Sequence, residues 1–293
     1  MSTICYAMNS NLRSLSPYES KVVLSLVEDG HREIDRAGVI AKLGVSPASA
    51  DLVIRSLRRK GWLERAGRGR YLLIPPDQGP EVIAESNILA LASRLVDPYY
   101  VGYSTAAAHY GLTTQMRSVV WIATPTAGIR DRHIHDTAVR FVHLSPRKFF
   151  GFEDVPVFGY PVHMSDREKT IIDCVDRLRF AGGVSEVRQM LAAAARRVDW
   201  QKLVNYMEKI GSVSLAQRFG FLADTTEAGM PNGARARLKG MLRPSSRSFL
   251  GPPAKPKDAI GYNAEWQILV HLSPRDLGGE VALPVRRSAG RSD

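Results

Sequence analysis

The sequence predicts an α+β protein that begins with a winged helix-turn-helix and continues into a mixed α+β domain. Three helical patterns and a hairpin with glycines at its tip occupy residues 15–74. Strand-like runs rich in β-branched and aromatic residues follow between residues 99 and 165, and a series of helical patterns comes after them. Strands followed by helices indicate α+β rather than alternating α/β topology.

The charge of the chain favours an acidic partner. The 293 residues contain 40 Lys+Arg and 29 Asp+Glu, a net charge of +11 at pH 7. Residues 1–75 carry +5 of this and the other 218 residues carry +6, so the first quarter is more than twice as basic per residue. A basic excess of this kind is typical of proteins that meet nucleic acid, although it does not determine the fold.

Several classes of protein are disfavoured by composition. The longest apolar runs are far shorter than the roughly 20 residues of a membrane helix. The start of the chain lacks a basic segment followed by an apolar one, so we expect no secretory signal, no membrane partner and a cytoplasmic location. Cys5 and Cys174 stand apart, which disfavours both a disulfide framework and a cysteine metal site. We expect no cofactor and no bound metal.

Start and stop signals divide the first 61 residues into three helices. Ser16, Pro17 and Glu19 have the spacing of a capping box with proline at the first helical position. This helix ends at Gly30 and should turn Val23, Leu26 and Val27 to one face. A short second helix covers roughly 36–43, with Val39, Ile40 and Leu43 inward, and stops at Gly44. The third has Ser46 as cap, begins at Pro47 and ends at Gly61.

Two helices joined by a tight glycine-containing turn are typical of the helix-turn-helix. In the third helix Val53, Ile54 and Leu57 have the 3-4 spacing of a core stripe. The opposite face, which includes Leu52, then carries short polar groups near its start and arginines further along, which suits a helix in the DNA major groove. Its candidate contact residues, together with the capping serine, are Ser46, Ser49, Arg55, Ser56 and Arg59.

The stretch after the third helix predicts a wing. "WLERAGRGRYLLI" alternates apolar and polar residues around Ala66-Gly67-Arg68-Gly69, as a β-hairpin does. Arg65, Arg68 and Arg70 would reach phosphate or a minor groove beside the third helix. The alternative is a winged helix that serves only as a protein-interaction module, with solvated arginines. We prefer DNA binding, because a hairpin tip has no structural need for arginine.

The predicted domains are 1–75, the winged helix, and 82–293, an α+β domain with a mobile tail. "IPPDQGP" contains three prolines and a glycine, so residues 76–81 are expected to be the linker.

The second domain offers few catalytic signals. His133 and His135 could face one side of a strand, but no neighbouring cysteine or third histidine completes a metal site. The acids of "SDREKTIIDCVD" include Asp166, Glu168 and Asp176, which should not share one helix face, and Ser165 with Glu168 is a second candidate capping box. An enzyme, a DNA-anchored nuclease or nucleotidyltransferase, is therefore the alternative function rather than the preferred one.

A second basic stretch lies at residues 229–257, which contain no acid. It is either a solvated loop with prolines or a second basic surface for DNA or an acidic partner. Its candidate residues are Arg235, Arg237, Lys239, Arg243 and Arg247. "EWQILVHL" is then predicted to be a strand that closes the domain.

Three stretches of the second domain resemble the C-terminal domain of AbiEi-type antitoxins. They are "DPYYVGYSTAAAHYGLTTQMRSVVWIATP", "VHMSDREKTIIDCVDRLRFAGGVSEVRQML" and "AQRFGFLAD". Their shared order is a YY-x-G start, an HGLT-like turn, an SD-x-E-x-T-x-x-D helix start and a GG-x-x-E helix. The resemblance covers most of residues 15–225. The chain resembles actinobacterial members of this group more closely.

This resemblance implies an antitoxin of a type IV-style system, paired with a nucleotidyltransferase-like toxin. It implies a winged helix that binds inverted repeats in the promoter of its own operon, and a C-terminal domain that contributes to antitoxicity. We also expect a regulator rather than an enzyme, because the sequence lacks the constellation of carboxylates that such an enzyme needs. One departure is the turn "AHYGLTTQ", where the family more usually has an "HLHGL" type of turn, so no role is assigned to a side chain there.

Overall fold

The computed structural model describes residues 14–74, 85–115, 119–134, 137–157, 160–226, 228–251 and 261–271. The chain divides by its contacts into two compact units, residues 1–97 with 154–162 and residues 98–153 with 163–293. The linker predicted at 76–81 lies outside the described residues. The contact division keeps residues 85–97 with the first unit, whereas the sequence places them in the second domain; the domain boundary stays a prediction.

The first unit has the element order of a winged helix. The elements are α1 (Pro17–Glu28), β1 (Glu33–Asp35), α2 (Arg36–Leu43), α3 (Pro47–Arg59), β2 (Leu63–Gly67) and β3 (Arg70–Leu73). Strand β3 lies between β1 and β2, and both pairings are antiparallel. The three predicted helices and the hairpin are confirmed, and β1 is an additional strand that the sequence analysis did not predict.

Local capping explains where these helices begin. The Ser16 hydroxyl accepts a hydrogen bond from the Glu19 N–H, while the Glu19 carboxylate accepts from the Ser16 N–H, so the predicted capping box is present. Ser46 caps α3 as predicted, since its hydroxyl accepts from the Ser49 N–H at 3.2 Å. Each cap satisfies an N–H that has no partner within its own helix.

One core assignment in α1 is wrong. Val27 is 48% exposed, whereas Val22 is completely buried beside Val23 and Leu26. The buried stripe runs from Glu19 through Val22 and Val23 to Leu26, and Val27 lies one residue, or about 100°, further round the helix. Exposed Val27 is therefore not part of the core of this unit.

Helix α4 (Glu85–Ala92) ends in a buried stretch. Every residue from Ile88 to Ser93 is buried. An apolar helical stretch that is buried on every side is typical of a protein interior. Beyond it Arg94 lies 3.4 Å from the carboxylate of Glu33, within the first unit.

A six-stranded sheet follows α4 in the chain. Its strands are β4 (Tyr100–Val101), β5 (Val119–Thr124), β6 (Arg132–Ile134), β7 (Thr137–His143), β8 (Phe152–Val157) and β9 (Tyr160–Ser165), with α5 (Tyr103–His109) after β4. The spatial order is β6-β7-β5-β4-β9-β8. The β5–β7 and β4–β9 pairs are parallel, whereas β4–β5 and β6–β7 are antiparallel. This mixed sheet confirms the α+β class.

Five α-helices and a small sheet follow in the second unit. They are α6 (Arg167–Asp176), α7 (Val184–Ala194), α8 (Trp200–Ile210), α9 (Val213–Thr225), α10 (Asn232–Gly240), β10 (Ser248–Phe249), β11 (Gly261–Asn263) and β12 (Ile268–Val270). Strand β12 lies between β10 and β11 and confirms the predicted closing strand. Helix α10 differs from the loop considered for residues 229–257. Gly220 of α9 is required by close packing, because a Cβ there would lie 2.3 Å from the Trp266 ring.

The start of α6 differs from its predicted capping box. Asp166, not Ser165, is the N-cap, and its carboxylate accepts from the Lys169 N–H at 2.8 Å. Ser165 is buried at the end of β9 and shares a 2.7 Å hydrogen bond with the Thr170 hydroxyl. The N-cap of α8 is Asp199, whose carboxylate accepts from the Lys202 N–H at 3.0 Å.

Candidate DNA-binding surface

Helices α2 and α3 have the geometry of a helix-turn-helix. The two axes bend by 108° at the break between them, within the range of about 90–120° for this motif. Gly44 ends α2 with φ +66°, a left-handed conformation that favours glycine. Ala50, Ile54 and Leu57 bury one side of α3 in the core of the first unit. The other side of α3 is thereby left for a partner.

The free side of α3 borders an open groove. The groove has a volume of about 720 Å³ and is lined by Leu52, Arg55, Ser56, Arg58, Arg59, Leu63 and Glu64. Arg55 and Arg59 are exposed, as the sequence predicts for contact residues. Three arginines against one glutamate make the groove cationic. Helix α3 therefore presents a positive, partly apolar face.

Ser56 is directed differently from its neighbours in the predicted set. It is half-buried and contributes a side-chain hydrogen bond that helps to lower the pKa of Glu19 in α1. The structure thus gives Ser56 an internal partner. Ser46 and Ser49, also in the set, lie at the N-terminus of α3 with their hydroxyl oxygens 3.0 Å apart.

One groove residue, Arg58, was missed by the sequence analysis. Its guanidinium lies 5.8 Å from the ring centre of Tyr71 in the wing. Leu52, which the sequence places on the outward face, is 60% exposed, although leucine is usually buried. The signal for Arg58 was present in the sequence, because Leu52, Arg55 and Arg58 follow one another at helical spacings of three residues.

The wing carries its arginines on a tight hairpin. Strands β2 and β3 are joined through Arg68 and Gly69, and Gly69 has φ +75°. A bulge between Arg65 and Gly67 leaves the Ala66 side chain buried, while Arg65, Arg68 and Arg70 are all exposed. The wing therefore places three guanidinium groups at the surface of the first unit.

One wing arginine has a weak internal ion pair. Arg70 lies 3.5 Å from the carboxylate of Glu33 in β1, and its side chain remains 68% exposed. An exposed pair of this kind contributes about 0–1 kcal/mol, so Arg70 is not held away from a stronger anionic partner. A similar exposed pair joins Arg36 of α2 to Asp51 of α3 at 3.5 Å.

A buried carboxylate positions the end of α3. The Lys60 ammonium lies 2.6 Å from Oε2 of Glu19, which is buried in the core side of α1. Burial alone would raise the pKa of the Glu19 carboxyl, but hydrogen bonds from Lys60, Ser16 and Ser56 outweigh it and lower this pKa to about 2. Glu19 is thus ionised at neutral pH and links α1 to α3.

The second basic surface is largely neutralised within the second unit. Arg235 makes ion pairs with Asp224 and Glu265, Lys239 pairs with Glu265, and Arg237 pairs with Glu208. Arg247 lies 5.3 Å from the ring centre of Tyr262. Cations already paired with carboxylates have less charge to offer a phosphate. The role proposed for this set, which also includes Arg243, remains a prediction.

The acids near α6 serve other side chains. Lys202 bonds Asp166 at 3.1 Å and Glu168 at 3.0 Å, and the Tyr206 hydroxyl donates to Asp166 at 2.8 Å. These two carboxylates meet at one lysine. Within the described part of the chain, no group of three or more His, Cys, Asp or Glu could hold a metal ion. His133 is exposed, and His135 lies outside the described residues.

A buried polar cluster is formed by Lys169 and Asp173 of α6 with Tyr100 of β4. Lys169 is completely buried; its ammonium forms an ion pair with Asp173 and lies 2.8 Å from the Tyr100 hydroxyl, which donates to Asp173 at 2.7 Å. Lys169 also lies over the rings of Tyr100 and Phe150, 5.1 and 5.5 Å from their centres. Tyr100 of β4 and two residues of α6, Lys169 and Asp173, therefore form one hydrogen-bonded network.

Among the described helices, none is by itself long and apolar enough to cross a membrane. One bent pair, α2 with α3, meets the length and composition expected of a span, and nothing further supports it.

Comparisons with known proteins agree with this geometry. No curated protein matches the chain. The crystal structure of the RV2827C protein from Mycobacterium tuberculosis is similar over 89% of this chain and 93% of that one, with a TM-score of 0.62 and 19% identity. At that identity the likeness shows a shared fold. Residues 21–74 match the model of a family described as "Transcriptional regulator, AbiEi antitoxin". The resemblance to the AbiEi antitoxin transcriptional regulators is therefore confirmed over residues 21–74, which contain the helix-turn-helix and the wing.

Proposed function

We propose that this chain is a DNA-binding antitoxin that represses its own operon and counteracts a nucleotidyltransferase-like toxin encoded beside it. The observation that carries the proposal is the joint surface of α3 and the wing, where exposed Arg55, Arg59 and Arg68 lie on a winged helix of the AbiEi type. Such a surface suits a helix in the major groove with a hairpin against the flanking phosphates. The toxin partner rests on the family match alone.

The side chains on the α3 face and the wing suit different kinds of contact with DNA. Arginine forms paired hydrogen bonds with guanine O6 and N7, so Arg55 and Arg59 are the candidates for base readout. Exposed Leu52 lies between Ser49 and Arg55 and is suited to the methyl group of thymine. Arg65, Arg68 and Arg70 of the wing would bind phosphate. Inverted repeats require a copy of the chain on each half-site.

The test of the proposed repression uses the full-length protein and the promoter of its own operon. Binding to the promoter should exceed binding to an unrelated duplex of the same length, and Arg55→Ala/Arg59→Ala should remove that preference. The charge-matched control is Arg196→Ala/Arg197→Ala, two exposed arginines that follow α7 in the second unit. Equal binding of the wild type to both duplexes would contradict the proposal.

Antitoxicity is tested separately from repression. The gene for the chain and the neighbouring toxin gene are each placed under inducible promoters, so that repression of the operon cannot contribute. The wild type and Arg55→Ala/Arg59→Ala should then protect growth equally, since the proposal gives the α3 face to DNA. Loss of protection in the soluble, folded variant would mean that protection depends on DNA binding.

The alternative is a DNA-anchored nuclease or nucleotidyltransferase. Phosphoryl transfer of that kind depends on carboxylates that hold metal ions. Asp166 and Glu168 instead bond Lys202, and Asp173 bonds Lys169. The purified protein incubated with duplex DNA, or with tRNA and nucleoside triphosphates, in magnesium would reveal the activity that this alternative requires.

A further inference from the structure

The second unit contains an open groove unrelated to the winged helix. Its volume is about 630 Å³ and its lining includes Lys148, Arg177, Arg179, Arg218 and the single carboxylate Asp176. Sites for small molecules usually measure about 300–1,000 Å³. Four cations against one acid give this groove a marked excess of positive charge. The proposed function makes no use of it.

Internal hydrogen bonds fix Arg218 without neutralising its charge. The Arg218 guanidinium donates to the carbonyls of Val175 at 3.2 Å and Asp176 at 2.9 Å, and to that of Ser214 at 3.2 Å. Carbonyl oxygens orient a guanidinium but leave its charge uncompensated. The Asp176 carboxylate pairs with Lys148 at 2.5 Å and, more weakly, with Arg177 at 3.7 Å, so one acid is shared by two of the four cations. A charge fixed in position before a ligand arrives binds it with less loss of entropy.

Hydroxyl groups and apolar surface complete the lining. Ser212 and Ser214 lie at the start of the 13-residue helix α9, with their hydroxyl oxygens 3.3 Å apart. Hydroxyls and guanidinium groups donate to phosphate oxygens, and a helix N-terminus favours negative charge. Leu178 and Phe249 supply apolar surface in the same groove. An aromatic ring of this kind can pack against a nucleobase.

We propose that this groove binds a nucleoside polyphosphate. Arg177, Arg179 and Arg218 bind the phosphate oxygens, and Phe249 contacts the base. The size of the groove and its combination of cations with an aromatic wall favour this ligand over an inorganic anion, which needs no apolar surface. The same charges would meet the phosphates of DNA, and the experiment separates these two sources.

The test measures binding of ATP, GTP, CTP and UTP to the full-length protein by isothermal titration calorimetry. At least one triphosphate should bind, and Arg177→Ala/Arg179→Ala should weaken it about tenfold or more, because each lost contact is a charge-assisted hydrogen bond. Both arginines are exposed, so the fold should persist. The control Arg196→Ala/Arg197→Ala removes the same charge from another exposed site and should change affinity less than about twofold.

Two further titrations identify the ligand chemistry. Inorganic tripolyphosphate should bind more weakly than the triphosphate, and Phe249→Ala should reduce the affinity for the triphosphate but not for tripolyphosphate. An unrelated DNA duplex should not displace the bound triphosphate. The proposal is overturned if no triphosphate binds at millimolar concentration, if both double variants weaken binding equally, if tripolyphosphate binds as tightly as the nucleotide, or if the duplex displaces it.

Discussion

The ammonium of Lys60 at the end of α3 lies 2.6 Å from the carboxylate of Glu19 in the first turn of α1. The same carboxylate oxygen accepts the Ser16 N–H at 2.6 Å and so completes the capping box of α1. One buried acid thus caps one helix and holds the end of another. The position of the proposed recognition helix depends on it, although Glu19 itself faces the core.

The first prediction concerns acid stability. The pKa of Glu19 falls from an ordinary 4.5 to about 2, so the carboxylate stabilises the fold fully above pH 4.5 and loses this effect as pH falls towards 2. This contribution is about 3 kcal/mol. Glu19→Gln should lower the free energy of unfolding at neutral pH by about 2–3 kcal/mol. Between neutral pH and about pH 3, the free energy of unfolding should fall less for Glu19→Gln than for the wild type.

Urea unfolding at both pH values measures this effect. Glu28→Gln is the control, because Glu28 is an exposed acid on the same helix. Parallel acid dependence of Glu19→Gln and the wild type would show that the Glu19–Lys60 pair does not stabilise this unit.

The second prediction concerns base readout by α3. Arg55→Ala or Arg59→Ala should weaken binding to the operator by about 1–3 kcal/mol if the side chain contacts a base edge. The loss on an unrelated duplex should be much smaller, because no base-specific contact exists there. Titrations of each variant against both duplexes provide the comparison. Equal losses on the two would assign these arginines to phosphate instead.

The third prediction concerns Leu52. If its exposed side chain packs on a thymine methyl, replacing that thymine by deoxyuridine should weaken wild-type binding by about 1 kcal/mol, the value of one buried methyl group. The same replacement should have little effect on Leu52→Ala, since the methyl has lost its partner. A double-mutant cycle on the four protein–DNA pairs measures this coupling. Normal operator binding with zero coupling at every thymine would exclude the contact without excluding DNA binding.

The fourth prediction concerns the wing. Arg65→Ala/Arg68→Ala/Arg70→Ala should flatten the dependence of log K on log salt by about 2–3, because each phosphate neutralised contributes roughly 0.9 to the slope. Binding should weaken on operator and random duplexes alike, with the operator preference largely retained. Titrations over a series of salt concentrations measure the slope. An unchanged slope would mean that the wing does not contact DNA.

The fifth prediction concerns the buried cluster of the second unit. Burial raises the pKa of the Asp173 carboxyl, although Lys169 and Tyr100 act in the opposite direction. Lys169→Met leaves this carboxyl buried without its cation and should cost about 3–5 kcal/mol of stability. Lys169→Met/Asp173→Leu should cost less, because neither charge then remains buried. Denaturant unfolding of the three proteins measures the order, and a double variant less stable than Lys169→Met would contradict it.

The sequence by itself determined the local structure of the winged helix. Ser16 and Ser46 each cap the helix predicted for them, because a capping bond joins residues three apart and depends on little else. Gly44 and Gly69 have the left-handed backbone that the turn and the wing require. The arginine pattern of α3 and its buried face could likewise be predicted from the sequence, since 3.6 residues per turn fix which side chains share a face.

Only the tertiary structure decided the partners of these side chains. Ser56 is directed to Glu19, and Arg235 and Arg237 are neutralised by Asp224 and Glu208, residues that are 11 and 29 positions away in the chain. Val27 shares the apolar character of the buried α1 residues but is 48% exposed, because no neighbour among the described residues packs over it. Hydrogen-bond spacing within a helix is a local property, whereas burial and ion pairing depend on residues brought together from distant parts of the chain.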